Sequence, residues 1–266
     1  MKLSNFQLHN KQLPSIKEYR GYKIPLSTLF CLSEELYYTP ENIHKVTHHF
    51  EPAITPDFFE EVYALVPIKT AFHKKTFVLY KNYALYVELT PLDIIQNVLK
   101  AYQYLDFKVY ARTIHSIFNK KTTIIPIATQ KFSIFSLGSI HEKETIWINP
   151  ARVCNIEETN HLTFIELDNS FTIGSDRQAR GIKRRMIKSF IIHGILKREA
   201  DADPIRPTTN LLEYLDIPSN IVTRTILKGV EYQHLPGLQG DFFERYNFEA
   251  AFLAKRKLLQ RLDIEE

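Results

Sequence analysis

The chain has 266 residues, 44% hydrophobic and 24% charged, a balance that excludes wholesale disorder and supports one large domain or two small ones with a real core. With only eight glycines, and with no GxGxxG, P-loop or GxSxG motif, the sequence argues against nucleotide-dependent enzymes and serine hydrolases. Cys31 and Cys154 form no CxxC unit and no apolar run reaches a membrane span, so a cytoplasmic protein with neither disulfide scaffold nor zinc ribbon is expected.

The net charge of +4 says little until its distribution is read. Between Arg177 and Arg198 lie eight basic residues and no acidic one, which leaves 26 basic against 30 acidic residues elsewhere. The positive charge is local, and a local cluster is what a polyanion recognises.

In chain order, residues 1–60 carry scattered prolines and one short helix near Leu26 to Leu36, and read as an N-terminal arm or irregular cap. Strands are expected at Glu61 to Pro67, Thr76 to Tyr80 and Ala84 to Glu88. Thr90-Pro91-Leu92-Asp93 then supplies an N-cap, a first-turn proline and a first-turn acid, and Leu92, Ile95, Leu99 and Tyr102 continue as one buried helical face. Short β runs follow at Thr123 to Ile127, Phe132 to Leu137, Thr145 to Asn149, Arg152 to Ile156 and Leu162 to Leu167. The last returns through Asp168-Asn169-Ser170 as a hairpin. Strands at this density without alternating helices predict an α+β fold with a mostly antiparallel β core over residues 61–200. Residues 201–266 read as a helical C-terminal appendage, separable from that core, whose last stretch from Phe242 to Leu262 suits a homo-oligomer or partner surface.

Ser175-Asp176-Arg177-Gln178 has the form of a capping box and predicts a basic helix over residues 176–198. Arg177, Arg180, Arg184 and Lys188 share one face of that helix, and Ala179, Ile182, Met186 and Phe190 the other. Beyond Phe190 the sequence is apolar all round, so the second half is buried or breaks at Gly194. A solvated helix gains i,i+4 ion pairs from interleaved glutamates, and this one forgoes every such pair. Five of its eight cations are arginine, suited to phosphate forks and narrow minor grooves. The candidate DNA-binding residues are Arg177, Arg180, Lys183, Arg184, Arg185 and Lys188. No catalytic residue, cofactor or metal is called for: His44 and His48 stand at i, i+4 with His49 adjacent, but Lys45 follows His44 where a zinc-protease motif has Glu, and no third ligand is obvious. Thr209 to Ile226 reads as helix, turn, helix, with Arg224 and Lys228 the only cations of its second helix.

Ala84 to Ile95, Ile125-Pro126-Ile127, Phe135-Ser136-Leu137, Ile146-Trp147-Ile148-Asn149, Val153 and Thr163 to Asn169 together resemble the bacterial competence transcription factor family, ComK, in order and approximate spacing from about Val62 to Met186. The chain departs from the family at Phe135-Ser136, where a Phe-Pro step is usual, and at Thr145-Ile146-Trp147, where a Cys usually precedes the Trp. The resemblance implies a non-enzymatic transcriptional activator that binds paired A/T-rich boxes of double-stranded DNA as an oligomer, largely through the minor groove. It also implies assistance to RNA polymerase and control by a protease adaptor. The expected protein is therefore a nucleoid-associated DNA-binding regulator. The alternative is a β-rich interaction module whose basic face binds an acidic protein partner.

Overall fold

The structure is a computed structural model that describes residues 23–262 except for 34, 48–50, 58–59, 70–73, 104, 120–123, 140–141 and 143. It is α+β, as expected. Strands β1 (Ile24–Pro25), β2 (Ala64–Ile68), β3 (Lys75–Leu79), β4 (Tyr83–Val87), β5 (Ile127–Ala128), β6 (Ser133–Ser136) and β7 (Trp147–Ile148) build an antiparallel sheet in the order β1-β4-β3-β2-β7-β6-β5. Strands β8 (Val153–Glu158), β9 (Thr163–Leu167) and β10 (Thr172–Ser175) form a second antiparallel sheet.

The seven-stranded sheet is buried on both faces, and the period of two along each strand decides which core a side chain enters. Ala64, Val66, Phe77, Leu79, Ala84, Tyr86, Phe135 and Ile148 join one core. Their neighbours Leu65, Val78, Leu85, Val87, Ile134 and Trp147 join the other.

The first core is closed by the small sheet, through Val153, Ile165, Leu167, Phe171 and Ile173, and by the N-terminal segment. That segment is a cap: α1 (Leu26–Leu32) and α2 (His44–Thr47) flank Tyr38, whose ring stacks on Phe171 at 4.5 Å, and Leu29, Ile43 and Val46 are buried with it. Residues 1–22 lie outside the described part, as do His48 and His49 of the candidate metal ligands, while His44 is exposed.

The second core is closed by α3 (Pro91–Gln103) and α4 (Phe107–Ile117). Helix α3 begins as its sequence predicts, with Thr90 Oγ1 donating to Asp93 Oδ2 at 2.6 Å while Asp93 N donates back to Thr90 Oγ1. Helix α4 was not expected. Asp106 caps it by accepting from Lys108 N and Val109 N, and Val109, Tyr110, Thr113 and Ile114 form its buried face.

Helix α5 (Ala179–Arg198) joins the two cores as it packs along β6 and β5. Its first half puts Ile182, Met186 and Phe190 into the first core, and its second half puts Ile192, Ile195 and Leu196 into the second. It runs unbroken through Gly194, where a side chain would not fit, because an added Cβ would stand 2.8 Å from Leu235 Cδ2 and 3.2 Å from Leu211 Cδ1. The residues pressing on that glycine belong to the C-terminal region.

That contact corrects the expectation of a separable appendage. Helices α6 (Leu211–Leu215) and α7 (Ile221–Ile226) bring Leu211, Tyr214, Leu215 and Val222 into the first core with Leu227 and Leu235. Phe242, at the start of α8 (Asp241–Leu262), is fully buried in the second. Arg198 Nη2 donates to Pro236 O and Lys197 Nζ to Tyr214 O, each at 2.7 Å, tying the region to the end of α5. Helix α7 packs on β8, and its exposed Arg224 turns back onto Asn220 O.

Removing residues from Asp201 onward is therefore expected to abolish cooperative thermal unfolding, since losing Phe242 alone costs about 3–5 kcal/mol. Removing residues from Ala254 onward, where the described part of α8 is exposed, should change the melting temperature by no more than a few degrees. Circular dichroism melts of the two truncations check both.

Buried His193 lies with Nε2 3.4 Å from Gln130 O, and burial, helped by the charge of Lys197, lowers its pKa from the ordinary value to about 4. The unfolded chain then binds the extra proton first, so stability should be complete above about pH 6.5 and fall as the pH drops toward 4. Melting temperatures across that range should flatten in His193→Leu.

Candidate nucleic-acid interface

The cations singled out in the sequence do not form one set. Arg177 precedes α5, because the helix starts at Ala179 with Gln178 as its cap residue and no side-chain cap. Ser175 belongs to β10 and accepts from Arg177 N at 3.1 Å, so the expected capping box does not form. The first helical N–H is satisfied from elsewhere: Glu158 Oε2, at the end of β8, accepts from Ala179 N at 2.9 Å. A carboxylate there also suits the positive end of the helix. No local motif marks that partner, which is why sequence reasoning missed it.

Arg180, Lys183 and Arg184 are exposed. They occupy positions i, i+3 and i+4, where neighbouring Cβ atoms lie about 5–6 Å apart. None of the three enters an ion pair among the described residues. Arg177 is also at the surface, with its side chain 47% exposed and its Nε 3.6 Å from Asp176 Oδ1. It borders a cleft of about 360 Å³ that also carries Glu142, Glu144, Asp176 and the ion pair of Lys69 with Glu41, so its acids outnumber its cations. A polyanion is repelled from that cleft, so the acids bound the basic surface on one side.

Arg185 and Lys188 are corrections to the candidate set. Arg185 is half-buried and its Nη1 donates to Ser136 O at 2.7 Å and to Leu137 O and Gly138 O beyond it, holding the end of β6 against the helix. Burial first, then the charge of Arg177, lowers its pKa, against the opposing pull of Glu142. Lys188 is likewise half-buried, with Nζ 3.4 Å from Ile124 O and 5.4 Å from the centre of the Phe118 ring, just past α4. Both side chains serve the fold.

What remains is a helix with one buried face and an outer face on which Arg180, Lys183 and Arg184 are exposed and enter no ion pair among the described residues. Such a face can neutralise phosphates without rearranging. Among the described residues no cluster of His, Cys, Asp or Glu could hold a metal ion, and no helix is long and apolar enough to cross a membrane. Compared with known proteins, the chain matches no protein family, no curated protein and no solved structure.

The division of the two adjacent arginines is testable by stability. Arg185→Ala should destabilise the fold by about 1–3 kcal/mol, because it leaves buried carbonyls without a donor. Arg184→Ala should stay within about 0.5 kcal/mol of the native chain in urea denaturation.

Proposed function

We propose that this protein is a DNA-binding transcriptional regulator that contacts duplex DNA through the outer face of α5. The observation that carries the reading is the exposed, unpaired trio Arg180, Lys183 and Arg184 on a helix whose opposite face is fixed in the core. Arg177 extends the same surface. Guanidinium groups suit phosphates and the enhanced negative potential of a narrow A/T-rich minor groove. That preference agrees with the resemblance to the competence activator family, which implies paired A/T-rich promoter boxes. Two boxes need two copies of the protein at a fixed spacing.

The test is fluorescence anisotropy with an A/T-rich duplex over a series of salt concentrations. With about four phosphates neutralised per chain, log K against log salt should have a slope near −3.5. Arg180→Glu combined with Arg184→Glu should lower the affinity by at least about 100-fold at an unchanged melting temperature. A flat salt titration contradicts the reading. Binding of poly-glutamate as tight as that of DNA would instead assign the face to an acidic protein partner.

A further inference from the structure

The C-terminal helix uses only one side of itself in the fold. Phe242, Tyr246, Glu249 and Leu253 face inward. Phe242 is buried, the Tyr246 hydroxyl accepts from Asp106 N at 2.7 Å, and Glu249 Oε2 accepts from Arg112 Nε at 2.5 Å across α4. At about 100° per residue, the opposite side of α8 carries Glu244, Asn247, Phe248, Ala251, Lys255 and Leu258. All six are exposed, Phe248 at 70% and Leu258 at 61%. An isolated apolar residue on a surface needs no explanation, but a stripe of them along one helix face does.

The charges on that stripe name the occupant. Its acid, Glu244, lies near one end and its base, Lys255, about three turns further on. The helix as a whole has the same polarity, with four cations and no acid from Ala250 to Leu262 against three acids and one cation from Asp241 to Glu249, although Glu249 is taken up by Arg112. A parallel partner of the same kind would set like charges together. An antiparallel one sets opposite charges together.

We propose that the outer face of α8 binds α8 of a second copy of this chain, antiparallel about a two-fold axis. The register follows from the charges: with Glu244 opposite Lys255 of the second copy, Phe248 falls opposite Ala251, large against small, and the symmetry makes both contacts twice, while Leu258 falls opposite Asp241 where the partner helix begins. The arrangement stands on the exposed face of α8 and does not depend on DNA binding. Should the DNA reading hold as well, the same pairing supplies the two copies that paired boxes require.

The test is the oligomeric state of the full chain by sedimentation without DNA. A dimer is expected at about 50 μM. Phe248→Asp should be monomeric there with an unchanged circular dichroism melt, since Phe248 is outside the core. Glu244→Lys and Lys255→Glu should each raise the dimer dissociation constant about tenfold or more, and the two together should restore it. A native chain that is monomeric at this concentration, a dimer indifferent to Phe248→Asp, or a double variant no tighter than the single ones would each overturn the proposal. DNA affinity of an isolated half-site is read separately, so loss of one reading leaves the other standing.

Discussion

One helix has to satisfy two cores at once, and the rest of the structure depends on it. The seven-stranded sheet buries apolar side chains on both faces, so it needs a cover on each. Helix α5 has 20 residues and spans about 30 Å, enough to contribute Ile182, Met186 and Phe190 to one cover and Ile192, Ile195 and Leu196 to the other. Gly194 lets the C-terminal region come close, and Arg185 closes the end of β6 through the carbonyls of Ser136, Leu137 and Gly138. With those contacts made, the helix cannot roll. Its remaining face points outward by construction.

That constraint gives the outer cations their character. A helix without a single internal ion pair gains nothing from its own charges, and its stability must come from packing. Arg180, Lys183 and Arg184 therefore cost little to the fold while they stand exposed on a helix whose opposite face is buried. Glu158 at the helix start and the acids of the cleft beside Arg177 bound this strip at its N-terminal end.

The fold class was legible because β2, β3 and β4 are short, nearly continuous apolar runs, because β9 alternates, and because Thr90-Pro91-Leu92-Asp93 has the form of a helix start. Helix α4 was missed because Phe107, Val109, Tyr110, Thr113 and Ile114 are aromatic or β-branched types that favour strands, although Val109, Tyr110, Thr113 and Ile114 recur at helical spacing behind the Asp106 cap. Missing α4 also hid the surroundings of Lys188, whose neighbour Phe118 follows that helix. Arg184 and Arg185 are adjacent in sequence, about 100° apart around α5, and only the position of β6 tells the surface cation from the buried one. The start of α5 was misread because its cap comes from Glu158 in β8, a long-range partner that local spacing does not reveal. In the C-terminal region the amphipathic pattern was visible, but both faces of α8 are apolar and sequence alone could not say which one the core takes.

The central claim is that the outer face of α5 is where duplex DNA lies. Site-specific photo-cross-linking addresses it most directly: a photoreactive side chain is placed at Lys183 and, in a separate variant, at Lys100, an exposed position on α3 across the sheet. The account predicts a covalent adduct with an A/T-rich duplex from position 183 and none from position 100. Equal adducts from both positions, or adducts from position 100 alone, would contradict it.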